Sequence, residues 1–359
     1  MSAGRRLATG VAIVGAIWTL LHVYIGWHLT VGLAGAPRAL AWVAVFAVAA
    51  APLVAFVAAR RGWVPRRAVV GWAGFTAMGL SSLLIVFFLV TDVLRLPVSP
   101  LTVLGLAAVV TVVGVLQARQ PRVVRVTVPI ADLPRDLEGF RIVQLSDLHV
   151  GPTLKRPFVE RVVATANALD PDVVALTGDV ADGFVPELRA EVAPLARLAA
   201  RHGKFYVSGN HDYYWDAPGW TREVERLGLS VLDHAHRVVR QGTARLLVAG
   251  VPDLSVPSDP AMALRGAPAS DVRVLLAHQP RSAFAARAAG FDLQLSGHTH
   301  GGQYFPFNLL VRLFEPFVAG LHRLESMWLY VSRGTGYWGP PLRLGAPPEI
   351  TLIELTAAS

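Results

Sequence analysis

The chain of 359 residues contains no cysteine. Disulfides and thiolate metal sites are therefore excluded, and any metal must be held by His, Asp, Asn or Glu. Lysine is nearly missing as well. Lys155 and Lys204 are the only two, so almost all positive charge is arginine. Acid is scarce in one region alone. Up to residue 120 there are nine arginines and a single acid, Asp92, a net +8, whereas the 24 basic and 24 acidic residues that follow cancel. A nucleic-acid-binding face would need excess positive charge on the water-exposed part, and that part has none. No nucleic-acid partner is expected.

What the first 120 residues have instead is apolar length. Hydrophobic residues make up 53% of the chain, and four long runs fall at residues 7–29, 40–59, 68–90 and 98–116. Each has the ~20 residues that a helix needs to cross ~30 Å of hydrocarbon. The breaks between them carry Pro or Arg. Trp18, Trp27, Trp42, Trp63 and Trp72 lie mostly towards span ends, where indole rings favour the interface. The sequence therefore reads as a four-helix transmembrane domain over 1–120 and a second domain over 121–359.

Arginine placement sets the expected orientation. Arg5 and Arg6 precede the first span, Arg60, Arg61, Arg66 and Arg67 separate the second and third, and Arg119, Arg122 and Arg125 follow the fourth. The other two loops hold Arg38 and Arg95 alone. The positive-inside rule then puts both termini, and the domain after residue 120, on the cytoplasmic side. A cleaved signal peptide is the rival reading of the first run. Three further spans follow it, and its apolar stretch is long for a signal core. His22 and His28 are six residues apart, off the spacing that aligns side chains on one helix face, and are read as structural.

Beyond residue 120 the texture is that of an α/β domain. Residues 123–128 alternate as a strand does, 131–139 are rich in turn formers, and 157–169 carry apolar residues at helical spacing. A second helix is expected over 187–200. Short buried-type strands are expected at 141–145, 173–176, 205–207, 274–277 and 293–295. Each ends in residues able to bind metal: Asp147 and His149, then Asp179, then Asn210 to Asp212, then His278, then His298 and His300. In α/β sheets ligands collect at the carboxyl ends of strands, so these residues should share one edge.

Asp147, His149, Asp179, Asn210, His278, His298 and His300 are enough donors for two cations with a shared carboxylate. Mixed carboxylate, imidazole and amide donors suit Mn, Fe or Zn better than Mg or Ca. Two such ions ~3.5–4 Å apart can hold a bridging hydroxide and clamp a phosphoryl group for in-line attack. His211 follows Asn210 directly. It can protonate a leaving oxygen, and Asp212 can orient its ring. A second motif, His234-Ala235-His236, falls outside this pattern and is read as a solvated loop.

The ordered set Asp147-Leu148-His149, Gly178-Asp179, Gly209-Asn210-His211-Asp212, lone His278 and Gly297-His298-Thr299-His300-Gly301-Gly302-Gln303 resembles the calcineurin-like metallophosphoesterase superfamily. Within it, the apolar N-terminal region and the tail from Leu329 to Leu355 are similar to a bacterial membrane-associated branch. The resemblance implies a four-layer α/β/β/α sandwich and two divalent metal ions. It implies that one metal takes Asp147, His149, Asp179 and His300, and the other Asp179, Asn210, His278 and His298. Asn210 and Arg333 become the candidate substrate contacts, with a solvated or ion-paired loop arginine as the alternative for Arg333.

The expected activity is metal-dependent hydrolysis of a phosphodiester, phosphomonoester or pyrophosphate at the bacterial inner membrane. The anchor makes a lipid-linked substrate, such as a UDP-diacylglucosamine-like molecule or a phospholipid, one candidate. A non-catalytic membrane sensor or scaffold that binds metal and nucleotide is the alternative, and a transporter with a regulatory domain is disfavoured by charge-poor spans. Two aromatic groups are open to two readings. Tyr213, Tyr214, Trp215 and Trp220, and the stretch from Tyr304 to Phe317, either meet lipid or cover the core.

Overall fold

A computed structural model describes residues 3–61 and 67–358. Trp63 and Arg66 lie outside the described residues, as do the side chains of Arg5, Arg6, Arg61 and Arg67. The chain divides into two units, one of residues 1–116 with 339–342, the other of residues 117–338 with 343–359.

The first unit is helical: α1 (Ala3–Thr30), α2 (Gly35–Arg61), α3 (Arg67–Val93) and α4 (Pro100–Ala118). All four are long and apolar enough to cross a membrane. Helices α2 and α3 approach closely at Gly74, where a Cβ would collide with the Ala51 carbonyl and the Ala55 methyl. Small residues at such crossings let backbones pack without a hydrophobic driving force. The few polar groups pair across helices. His22, buried, sets Nε2 3.0 Å from Ser81 Oγ. Trp18 donates to the Ala49 carbonyl at 2.9 Å. Near the ends of α1 and α3, Asp92 accepts from Tyr24 at 2.6 Å and lies 3.0 Å from His28 Nε2.

The second unit holds two six-stranded sheets. The first has the order β1 (Arg122–Ile130), β12 (Glu349–Ala357), β2 (Arg141–Leu145), β3 (Val173–Thr177), β4 (Gly203–Val207), β5 (Ser230–Val231). The second has the order β10 (Gly320–Leu324), β11 (Met327–Val331), β9 (Leu293–Ser296), β8 (Val272–Leu276), β7 (Ala244–Gly250), β6 (Ala235–Gln241). Strands β2, β3, β4 and β5 run parallel, as do β7, β8, β9 and β11.

Burial on both faces explains why the central strands read as continuous apolar runs. In β3, Val173 and Ala175 join the core between the sheets, while Val174 and Leu176 face the helices. The inter-sheet core takes Ile142, Phe205, Val274 and Leu295. On the outer face of the first sheet lie α5 (Arg156–Ala168), α6 (Val185–Val192) and α8 (Ala217–Arg226), through Val162, Leu188 and Trp220. On the outer face of the second lie α9 (Pro260–Ala263) and α10 (Ala283–Ala288). The result is the four-layer α/β/β/α sandwich.

Two local expectations change. The helix expected over 187–200 ends at Val192 and tightens into a 3-10 turn over Ala193–Arg197. Pro194 explains this, since it removes an N–H and crowds the carbonyl four residues back. His234-Ala235-His236 is not a solvated loop. Ala235 and His236 open β6, paired antiparallel with Gly250 and Ala249, and His236 Nδ1 lies 2.8 Å from the Ala263 carbonyl.

Candidate metal centre and acid

The donors sit where strands of both sheets stop. Asp147 and His149 follow β2, Asp179 follows β3, Asn210 to Asp212 open the short helix α7 (Asn210–Trp215) after β4, His278 follows β8, and His298 and His300 follow β9. The turns are sharp. Asp147, His149, Asp179, His298 and His300 all have positive φ, between 46° and 71°. Non-glycine side chains seldom adopt this region, at a cost of about 1–3 kcal/mol each. Backbone hydrogen bonds hold them there: Asp147 N to the Gly178 carbonyl, His149 N to that of Asp179, and Gly336 N to that of Asp147, at 3.1, 3.1 and 2.9 Å.

Two glycines make room. A Cβ at Gly209 would collide with the Asp179 carboxylate, and one at Gly297 with Ser146 Oγ and the Asp147 carboxylate. Any side chain there would push a donor out of the cluster.

The seven sequence-read donors converge. His149 Nε2 and His300 Nε2 face each other at 3.0 Å. Asp147 Oδ1 is 3.4 Å from the His300 nitrogen and 4.0 Å from that of His149. Asp179 Oδ2 lies between the two halves, 3.7 Å from His149 Nε2 and 3.2 Å from His278 Nε2. Asn210 Oδ1 is 3.1 Å from His278 Nε2 and 2.8 Å from His298 Nδ1. All seven side chains are buried or nearly so. Two imidazole nitrogens aimed at one another, ringed by carboxylates, need a cation or shared proton between them. The residues therefore fit divalent metal ions, with Asp179 central to both halves.

The electrostatics agree. Burial would raise the Asp179 pKa, but His278 and His149 hold its carboxyl well below the usual carboxylate range. Burial would lower the His278 pKa, and Asp179 instead pushes it well above the ordinary imidazole value. Burial and His278 depress His298, while burial and Arg343 depress His300. A cation entering here would displace the proton shared by His278 and Asp179.

The partner of His211 differs from the sequence expectation. His211 Nδ1 lies 2.7 Å from Asp182 Oδ1, so Asp182, not Asp212, orients the ring. Asp212 is fully buried on the other side of its turn. Its Oδ2 accepts from Gly209 N at 2.7 Å, Tyr206 Oη at 2.7 Å and Asp179 N at 3.2 Å. On the first turn of α7, the side chain after His211 points back to the backbone amides, which is why adjacency in sequence misleads here. Burial would lower the His211 pKa, yet Asp182, and behind it Asp179, push it up to about 9. Asp182 also reaches His149 Nδ1 at 3.2 Å. One carboxylate thus steadies both a metal-facing histidine and the candidate acid. The signal that could have found it is a carboxylate three residues after Asp179 on the same loop.

A second residue missed in sequence is Arg343, fully buried. Its guanidinium donates to the carbonyls of Arg333, His300 and Gly336 and sits 2.9 Å from His300 Nδ1. Burial lowers its pKa to about 9. Arg333 is ion-paired, with Nη1 2.9 Å from Glu349 Oε2, and Tyr337 is buried. Trp220 belongs to the core, its Nε1 donating to Gly183 at 3.0 Å, whereas Tyr214 is exposed.

Two facing sheets with a metal-ready donor cluster at their strand ends are the arrangement of a metal-dependent phosphoesterase. The family model for calcineurin-like phosphoesterase matches residues 140–302. The chain is similar to an uncharacterized metallophosphoesterase of Aquifex aeolicus, 32% identical over 65% of this chain and 91% of that one. It is also similar to transmembrane proteins with a metallophosphoesterase domain from Danio rerio and Bos taurus. Identity is 40% over 72% of this chain in the first case and 39% over 74% in the second. The chain spans just under two thirds of those two relatives, 63% and 64% of their length. The chain belongs to the calcineurin-like metallophosphoesterase family, and its four apolar helices associate it with a membrane.

Proposed function

We propose that this chain is a membrane-held, two-metal phosphoesterase that cleaves phosphodiester, phosphomonoester or pyrophosphate bonds, with a lipid-linked phosphoryl compound as its substrate and its α/β unit in the cytoplasm. The observation that carries the reading is the convergence of seven donors around Asp179, with His149 Nε2 and His300 Nε2 only 3.0 Å apart. Asp147, His149, Asp179 and His300 would hold one ion, and Asp179, Asn210, His278 and His298 the other. Mn, Fe or Zn suits that donor set. Divalent ions bound there supply a water acidic enough to ionise near neutral pH and neutralise charge on the phosphoryl oxygens.

The protein's own part is then proton delivery and placement. His211, kept protonated by Asp182, donates to the leaving oxygen. Asn210 is the candidate for a second contact, to a phosphoryl oxygen. Arg333 is held by Glu349, which places the ion-paired alternative ahead of direct phosphate contact for that residue. The four apolar helices support a substrate that resides in the bilayer.

The test uses purified full-length protein in lipid nanodiscs with Mn²⁺, assayed on a chromogenic phosphodiester and on lipid-linked phosphoryl substrates, with metal content measured on the same sample. Wild type should hydrolyse the diester and hold two metals per chain, and Asp179→Asn should lose both. A wild-type protein that holds two metals yet cleaves neither substrate class overturns the enzymatic reading.

A further inference from the structure

Between Tyr304 and Phe317, which packs on the outer core of the second sheet, the stretch after the last donor loop does not cover the core. Tyr304 is buried, but beyond it α11 (Phe307–Leu310) and the 3-10 turn Val311–Leu313 have no buried residue. Leu313 is 76% exposed and Phe314 71%, the two most exposed large apolar side chains described outside the helical unit. Phe305, Phe307, Leu309 and Leu310 are exposed beside them. Six large apolar residues within ten positions form a patch that water-facing surfaces seldom carry without a partner.

The same turn has a charged side. A polar cavity of about 340 Å³ is lined by Arg312, Arg333, His322 and Asn308 together with Leu309 and Glu315. Its one acid, Glu315, is already spoken for. Glu315 lies 3.2 Å from Arg281 Nε, and Glu349, behind Arg333, holds that guanidinium. Arg312 is exposed and makes no ion pair among the described residues. The cavity therefore offers a free guanidinium next to protruding leucines and phenylalanines.

We propose that residues 305–322 are a lipid-surface site. Arg312 takes the phosphate of an anionic phospholipid, while Leu310, Leu313 and Phe314 enter the acyl boundary. The occupant is a bilayer because both halves of the site match one. An apolar ridge with a basic residue at its edge is the pattern of interfacial insertion, and anionic headgroups attract basic side chains close to the surface. The chain itself supplies the bilayer. It carries four helices long and apolar enough to cross a membrane, and only Arg119, Gln120 and Pro121 join α4 to β1. The inference concerns where this surface rests, and it stands whether or not the metal centre turns over substrate.

The absence of cysteine makes the test direct, since a single introduced thiol is the only label site. Full-length Leu313→Cys and Phe314→Cys, and Arg240→Cys on exposed β6 as control, are spin-labelled. They are then placed in nanodiscs of phosphatidylcholine alone or with phosphatidylglycerol. Collision with oxygen and with a polar nickel chelate reads immersion depth. The expected result is high oxygen and low nickel access at 313 and 314, deeper with phosphatidylglycerol, against full nickel access at 240. Adding Arg312→Glu should remove the phosphatidylglycerol dependence. Full nickel access at 313 and 314 in both discs overturns the surface. Immersion that ignores both phosphatidylglycerol and Arg312→Glu overturns the phosphate pocket. A protein partner would show as labels protected only when a second protein is added, which also overturns it.

Discussion

The helical unit and the α/β unit both bury histidines beside polar groups, but they arrange them in opposite ways. In the helices, a ring nitrogen meets a complementary group: His22 faces Ser81 at 3.0 Å, and His28 faces Asp92 at 3.0 Å. Each such pair is complete as it stands, as the buried His22 in its apolar surrounding must be. In the α/β unit, His149 and His300 face one another, and Asp179 stands between histidines of both halves. That cluster gathers imidazole, carboxylate and amide donors in one place, which is a set suited to divalent cations. The same residue types therefore mean packing in one place and chemistry in the other, and the difference lies in what the lone pairs meet.

The comparison breaks most sharply at the acid. His211→Ala should cut kcat by about 10²–10⁴-fold while leaving two metals bound, because Nδ1 is taken by Asp182 and the ring is not one of the seven donors. Steady-state kinetics with metal analysis on the same sample check it. Loss of metal along with activity would move His211 into the donor set and blur the contrast just drawn.

Next in size are the two carboxylates weighed as partners of His211, Asp182 and Asp212. Asp182→Asn should lower activity by about 10–100-fold, the usual cost of losing the partner of a metal-facing histidine. It should also change the pH profile. His211 is protonated below a pKa of about 9, which Asp182 raises. Removing that charge lowers the pKa, so the alkaline limb of kcat moves to lower pH. Asp212→Asn should leave the limb where it is, since Asp212 bonds Gly209, Tyr206 and Asp179 N rather than the ring. Its cost falls on stability, about 1–3 kcal/mol for disturbed buried acceptor bonds. If Asp212→Asn moved the limb and Asp182→Asn did not, the orientation read from the structure would be wrong.

How much of this is legible in the sequence follows from what is local. The donor residues stand at strand ends, and strand ends are marked by apolar runs that stop at Asp, Asn or His, so their shared edge can be read. The four-layer sandwich is legible only through the family resemblance that those motifs carry. The partner of His211 is not, because whether Asp182 or Asp212 meets the ring depends on how the loop after β3 passes the first turn of α7. Strand β12 escapes because its pairings span long separations, such as Arg122 with Glu349. Arg343 escapes because nothing in its neighbourhood distinguishes a fully buried arginine from a surface one.

Arg343 also sharpens the comparison, since it donates to backbone carbonyls around the donor cluster. Arg343→Met would leave the carbonyls of Arg333 and Gly336 without their donor. A loss of several kcal/mol is expected, at about 1–3 kcal/mol per orphaned buried acceptor. Arg343→Lys should recover only part, because an ammonium cannot reproduce the planar fork. Denaturant unfolding followed by near-ultraviolet signal, with metal affinity alongside, measures both.

The smallest effect belongs to the helices, and it is the one that isolates their role. Ser81→Ala leaves His22 Nε2 without its partner but touches nothing in the α/β unit. Interhelical bonds of this kind contribute about 0.6 kcal/mol on average and rarely exceed ~1.7. The variant should therefore unfold slightly earlier in detergent and hydrolyse a soluble chromogenic diester at the wild-type rate. The same should hold for His28→Ala, which removes a pair at the end of α1 and α3. A loss of turnover as large as that of His211→Ala, at unchanged metal content, would give the helical histidines a part in the reaction, and packing alone would no longer describe that unit.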